Sequence, residues 1–300
     1  MKTLPLTVLF HEGPIGRAYL AMLRHHGYKP ARIIEMVYDR DLSTSQRIAR
    51  WMPYRAWRMA WAGKVQDIRS NYWARLIANQ KPVLFNTITQ TVSATYGLPE
   101  NFYTELLGKP NYESYAERVD KILVSGISDS SISTALSEDD NETVLFTGGG
   151  IVPSALLKTM GKWFLHFHPG YLPNIRGADG LLWSTIVRGQ PGVSAIRMDD
   201  SIDTGNILTT EDCIPLSFHV PDGSRYDNKT LYRALFAYYD PVLRANSLIR
   251  LLSISNDIHK IPSLEQHIDS GITYNFMHAD LQSHALKRLF CDANRVSSVL

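Results

Sequence analysis

The sequence predicts an α/β fold: a Rossmann-like, mostly parallel sheet with helices on both faces, a helical insertion and a mainly helical C-terminal extension. Three observations predict it. Short apolar runs, the length of buried strands, alternate with helical patterns at the start of the chain and again between residues 121 and 198. The chain has 300 residues, 44% hydrophobic and 20% charged, enough to bury at least one full core. In residues 43–80, and again after residue 226, the strand rhythm gives way to helical periodicity.

The elements follow in order. Leu6 to Phe10 reads as a strand, Gly13 to Gly16 as a turn, Arg17 to His26 as a helix ending at Gly27, and Arg32 to Tyr38 as the next strand. Residues 43–80 read as one or two long helices interrupted near Pro53. Lys121 to Ser125 and Thr143 to Thr147 are short buried strands, and Pro153 to Met160 is a helix closed by Gly161. Trp163 to Phe167 is a strand, Asp179 to Arg188 a helix and Val193 to Met198 a strand. Residues 226–255 form one amphipathic helix, and the tail to Leu300 reads as a helix with a short hairpin or loop. His, Pro, Asp and Gly cluster between Phe218 and Gly223, which sets a domain edge there. Residues 1–218 are thus expected to be catalytic and residues 219–300 an extension. Ligands of such sheets lie at the carboxyl ends of the strands, so the loops at 148–150, 168–177 and 199–206 are the ones expected to meet a ligand.

Composition narrows the function. A net charge of +2 leaves no whole-chain footprint for a polyanion, so nucleic acid is not the expected partner. Cys213 and Cys291 are far apart and fit a reducing compartment better than a disulfide scaffold. The apolar run near the N-terminus is too short for a signal segment, and no stretch approaches the ~18 apolar residues of a membrane helix. A soluble, cytoplasmic protein with no membrane partner is expected, and a homodimer is compatible with the sequence.

One stretch stands out locally. Between Arg47 and Arg75 lie six Arg and Lys64 against a single acid, Asp67, a local net charge of +6. Trp51, Tyr54, Trp57, Trp61 and Trp73 are interleaved with them. Either this is a surface for an anionic partner, or its aromatics pack on the core while the Arg residues face water. The expectation is packing.

The chemistry concentrates between His166 and Leu208. In a strand, His166 and His168 point to one face. Pro169 has no N–H to give and ends the ladder, so His168 sits at the strand's carboxyl end. Thirty-five residues later, Asp203 offers a carboxylate in the turn Ser201-Ile202-Asp203-Thr204-Gly205. A carboxylate paired with an imidazole fixes the ring and tunes its basicity, which suits proton transfer.

The ordered residues His168-Pro169-Gly170, Leu172-Pro173, Arg176-Gly177, Gly192-Val193, Met198-Asp199 and Ile202-Asp203-Thr204-Gly205-Asn206-Ile207-Leu208 resemble the 10-formyltetrahydrofolate-dependent formyltransferases. That family includes methionyl-tRNA formyltransferase, glycinamide ribonucleotide transformylase, the sugar N-formyltransferases and the hydroxyornithine transformylases. Gly149-Gly150-Ile151-Val152-Pro153 with Leu157 is similar to the family's pterin-pocket segment. The resemblance is strong over about residues 143–216. It implies transfer of a formyl group from 10-formyltetrahydrofolate, the donor substrate, to the amine of a small-molecule acceptor: an amino sugar, an amino acid or a hydroxylamine. By the same resemblance His168 stabilises the tetrahedral oxyanion and moves protons, and Asp203 orients and charges it. The pterin is then held by Ile151, Val152, Leu157, Met198, Asp199 and Asp200. No metal belongs to this mechanism.

The sequence departs from the family at His166, where an Asn is the rule. Imidazole can also donate a hydrogen bond, so His166 is read as a replacement donor and third catalytic residue. Two alternatives stay open: a two-His, one-carboxylate metal site of His166, His168 and Asp203, or a silenced folate- or partner-binding protein. His11 and Glu12, at the end of the first strand, face the crevice or simply cap a turn. The residues after Val220 show too little strand pattern for the β-barrel that helps methionyl-tRNA formyltransferases bind tRNA, which favours a small acceptor. The segment from Gly271 to His278 is a lid over the acceptor or, as expected here, packing beneath a terminal helix.

Overall fold

The computed structural model describes residues 1–41, 44–48, 51–108, 110–221 and 226–292. Arg50 of the basic stretch, Asp222 and Gly223 of the expected boundary, and the tail after residue 292 lie outside them.

Apolar residues at nearly every position make β1 (Lys2–Phe10) and β2 (Tyr28–Tyr38) strands buried on both faces. Between them α1 (Pro14–His25) opens on a proline, which fits a first turn because its missing N–H is not needed there. The helical insertion is α2 (Arg55–Ser70), α3 (Tyr72–Gln80), α4 (Pro82–Tyr96) and α5 (Phe102–Leu107). It therefore runs well past residue 80. Next come β3 (Arg118–Val124), α6 (Ser130–Ser137), β4 (Thr143–Phe146), the single turn α7 (Ser154–Leu157) and β5 (Trp163–His168). The chain continues through β6 (Ile175–Gly177), α8 (Gly180–Val187), β7 (Gly192–Arg197), β8 (Ile207–Asp212) and β9 (Phe218–Val220). It closes with α9 (Asn228–Tyr238), α10 (Asp240–Ile254), β10 (Ile272–Tyr274), α11 (Ala279–Leu289) and β11 (Phe290–Asp292).

Seven strands form the central sheet in the order β3-β2-β1-β4-β5-β7-β8. The first five are parallel, and β7 and β8 run antiparallel to their neighbours, so the sheet is mostly parallel as the sequence predicts. The chain winds outward from β1 and returns to β4 beside it, which opens a crevice at their carboxyl ends. Both faces are covered. Ile132 and Leu136 of α6 and Leu156 of α7 close one core, while α1, α3–α5 and α8–α11 contribute to the larger core on the other face.

Two readings need correction. The single helix expected over 226–255 breaks at Tyr239, and Pro241 lies in the first turn of α10. A proline inside one continuous helix would clash with the carbonyl four residues back, so the break puts it where it costs least. The aromatics of the basic stretch, expected to pack on the core, do so only at Trp73. Trp51, Tyr54, Trp57 and Trp61 are 77%, 61%, 60% and 44% exposed. No helix among the described residues is long and apolar enough to cross a membrane.

Candidate active site

His168 ends β5 with its side chain buried. The loop that follows is fixed by Ser194 of β7, whose hydroxyl donates to Gly170 O (2.8 Å) and accepts from Leu172 N–H (2.9 Å). This turns the chain back so that Ile175 O lies 2.9 Å from His168 Nε2. The other ring nitrogen, Nδ1, lies 3.2 Å from Asp203 Oδ2.

Asp203 is held as tightly. Its backbone is left-handed (φ 55), a conformation that aspartate tolerates better than most residues. Oδ2 also accepts the N–H of Gly177 at 2.8 Å. The Gln266 amide donates to the carbonyls of Asp203 (3.1 Å) and Gly205 (2.6 Å). Gly205 is required here, since a Cβ would fall 1.9 Å from Arg197 O. Gly177, with φ +89 and Tyr274 O only 2.2 Å from where a Cβ would be, is required for the same reason.

These contacts fix where protons sit. Ile175 O only accepts, so Nε2 carries the hydrogen of the neutral ring and Nδ1 turns its lone pair toward the Asp203 carboxylate. The next proton taken up is shared between Nδ1 and Oδ2. Burial, reinforced by the Arg244 cation, lowers the His168 pKa against the opposing pull of Asp203, so the ring is neutral and ready to accept a proton.

Both histidines line a cavity of about 500 Å³. His166 turns its ring toward Phe146 (centroids 6.2 Å apart), and its Nδ1 is shielded from solvent with no hydrogen-bond partner. Desolvation, and secondarily Arg244, pushes its pKa down to about 3, so His166 is a neutral imidazole and not a cation. Among the described residues, no group of three His, Cys, Asp or Glu side chains is disposed to hold a metal ion.

The cavity is lined by two unlike groups of residues. One comprises Gly148, Gly149, Gly150, Ile151, Val152 and the chain from Met198 to Ile202. Of the residues expected around the pterin, Ile151, Val152, Met198, Asp199 and Asp200 belong to it, and Leu157 does not: it packs against the core beneath α7. Asp200 ties this group to α7 through Ser154 Oγ (2.5 Å) and Lys158 Nζ (3.0 Å).

The other group comes from outside the motif, and of it the sequence singled out only the segment from Gly271 to His278. Ile15, Asp179, Tyr232, Phe236 and the chain from Thr273 to Phe276 form it. Asp179, also left-handed (φ 52), accepts from Tyr232 Oη (2.7 Å) and from Met277 N–H (2.8 Å), which ties α9 and the C-terminal strand to the site. β10 pairs with β6, and Tyr274 stacks on Trp183 (4.4 Å), so the segment from 272 to 276 is a cavity wall and not packing beneath a helix. Arg244 of α10 lies against the cavity with Nε on Asp240 (2.9 Å) and Nη1 on Phe167 O (2.9 Å). Its Nη2 makes no hydrogen bond among the described residues. His11 stays out of the cavity, edge-on to Tyr38, and Glu12 is buried with Arg17, Asn71 and Tyr112.

The chain is 38% identical over 86 residues to the methionyl-tRNA formyltransferase of Rickettsia typhi, 28% of each chain. It is 42% identical over 71 residues to that of Rickettsia massiliae, 23% of each. Through that segment the chain is related to the formyltransferases. The formyltransferase-like segment spans little more than a quarter of those relatives' length, and no family model matches the chain. A sugar N-formyltransferase from a Shewanella species superposes over 98% of this chain and 90% of its own, at 11% identity and a TM-score of 0.45. A 4-N formyltransferase from Francisella tularensis does so over 96% and 87%, at 12% identity and a TM-score of 0.45.

Proposed function

We propose that this protein is an enzyme that transfers the formyl group of 10-formyltetrahydrofolate to the amine of a small molecule, an amino sugar, amino acid or hydroxylamine. The observation that carries this reading is the His168–Asp203 pair in the wall of a cavity lined by glycine-rich main chain and by aromatic side chains. The Gly148–Val152 lining suits the pterin. An added Cβ at Gly149 or Gly150 meets nothing within 4 Å, so bare main chain faces open space, and Val152 and Met198 supply apolar surface for a flat ring. We assign Ile151, Val152, Met198, Asp199 and Asp200 to it, with Leu157 as support beneath.

The donor supplies an electrophilic formyl carbon and a nitrogen leaving group. Neutral His168, paired with the Asp203 carboxylate, takes the proton that the attacking amine must lose and returns it to the departing nitrogen. Both nitrogens of His168 are engaged, so the free donors for the tetrahedral oxyanion are a ring N–H of His166 and Nη2 of Arg244. The acceptor lies against the aromatic side chains of Tyr232, Phe236 and Tyr274. The described elements after Val220 are helices and two three-residue strands in separate two-stranded pairs, which supports a small acceptor over tRNA.

Residues 1–218 then carry most of the site, and from the extension Tyr232, Phe236, Arg244 and Thr273–Phe276 complete its wall. The thiols of Cys213 and Cys291 are free, which supports a cytoplasmic setting. The test is a screen of amine classes with 10-formyltetrahydrofolate, identifying products by mass. A formylated small amine that requires His168 supports the reading. Formylation of methionyl-tRNA alone, or of no amine, overturns it.

A further inference from the structure

We propose that α2 is a peripheral docking surface for an anionic lipid membrane, independent of the cavity chemistry. Trp61 and Ile68, seven residues apart, crest one face of the helix, and Tyr54 precedes its first turn. Trp57 and Lys64 lie along one flank of that crest, and Arg58 and Arg69 along the other. The crest is open to solvent: Ile68 is 51% exposed, alongside the exposed Tyr54, Trp57 and Trp61. The opposite face docks on the sheet through buried Ala62 and Gln66, the Gln66 amide bridging Met36 O (3.1 Å) and Tyr38 N–H (3.0 Å). The aromatics therefore do not hold the helix in place.

Charge selects the partner. Arg69 is paired with Asp41, but Arg55, Arg58 and Lys64 have no acidic partner among the described residues. Lys64 lies only over the Trp61 ring, at 5.8 Å. A second copy set face to face would bring cations against cations. A single-stranded nucleic acid is bound in a groove with flat rings for its bases. Here one helix stands between cavities of about 550 and 230 Å³ and carries an aliphatic side chain on its crest. An apolar and indole crest with flanking cations is what a helix lying in the headgroup layer presents, indoles at the interface and guanidinium groups on lipid phosphates. The lack of an apolar spanning stretch does not bear on such contact, which needs one helical face and no span.

The experiment is co-sedimentation of the full chain with vesicles of phosphatidylcholine alone or mixed with phosphatidylglycerol. The same vesicles with brominated acyl chains quench any tryptophan that enters them. Binding to the mixed vesicles only, lost at high salt and accompanied by quenching, supports the proposal. Trp57→Ala with Trp61→Ala weakens it about tenfold or more, and Arg55→Gln with Arg58→Gln by on the order of thirtyfold. Arg55, Trp57 and Trp61 are exposed and Arg58 is half-buried, and an unchanged Tm shows that the variants are folded. No binding, binding without quenching, tighter binding to a single-stranded RNA oligonucleotide, or a dimer dissolved by the tryptophan substitutions each overturns it.

Discussion

His166 replaces an amide with a neutral imidazole whose shielded Nδ1 lacks a partner. If it donates to the oxyanion, His166→Asn keeps measurable turnover while His166→Ala loses about a hundredfold to a thousandfold in kcat, the range for a missing oxyanion donor. Steady-state kinetics of the two variants decide it, and equal loss in both contradicts the role. The sign of the pH dependence follows from burial and Arg244 holding His168 below its ordinary 6.5. The ring is a base only while neutral, so kcat/KM falls as pH drops through a midpoint below 6.5. Arg244→Gln removes a cation that favours the neutral form, so that midpoint moves upward, and a pH–rate profile of both proteins reads it. His168 and Asp203 were legible in the sequence because the ordered motif around them resembles that of the formyltransferases; strand alternation and a Gly-bearing turn alone fit structural roles as well. Arg244, Asp179 and Tyr232 were not, since each reads locally as an ordinary helix residue and reaches the cavity only through tertiary packing.

At the scale of the element, the turn after β7 carries Asp203 and depends on Gly205. Gly205→Ala drives a methyl into Arg197 O, an overpacking that costs about 1–3 kcal/mol and displaces the carboxylate. We expect a lower midpoint in urea unfolding together with weaker tetrahydrofolate binding by calorimetry. The short strands and α1 were readable from apolar runs and punctuating glycines. The helix α4 was harder, because its run of Thr residues favours strand by propensity. In the structure Thr87, Thr89, Thr91 and Thr95 each return their hydroxyl to the carbonyl four residues back, which satisfies those groups within a helix. Periodicity gave α2 a face, but not which side docks on the sheet. Its aromatics were therefore read as packing where the structure exposes them.

At the scale of the molecule, the C-terminal helices share the core of the sheet. Leu248 of α10 is fully buried in the same cluster as Phe167 and Tyr19. Leu248→Ala is expected to lower the stability of the whole chain by about 2–5 kcal/mol in one unfolding transition. A separate early transition in circular dichroism would show instead that the extension unfolds independently. The sheet order, the crevice beside β1 and the extension's wall together build one cavity, and the central claim is that His168 performs formyl transfer within it. The most direct test follows tetrahydrofolate release from 10-formyltetrahydrofolate in the presence of an accepted amine, for the wild type and His168→Ala. Donor binding is measured on the same samples. The account predicts amine-dependent release by the wild type and a loss of about a hundredfold to ten-thousandfold in the variant, with donor binding retained. Amine-dependent release that survives in His168→Ala would contradict it.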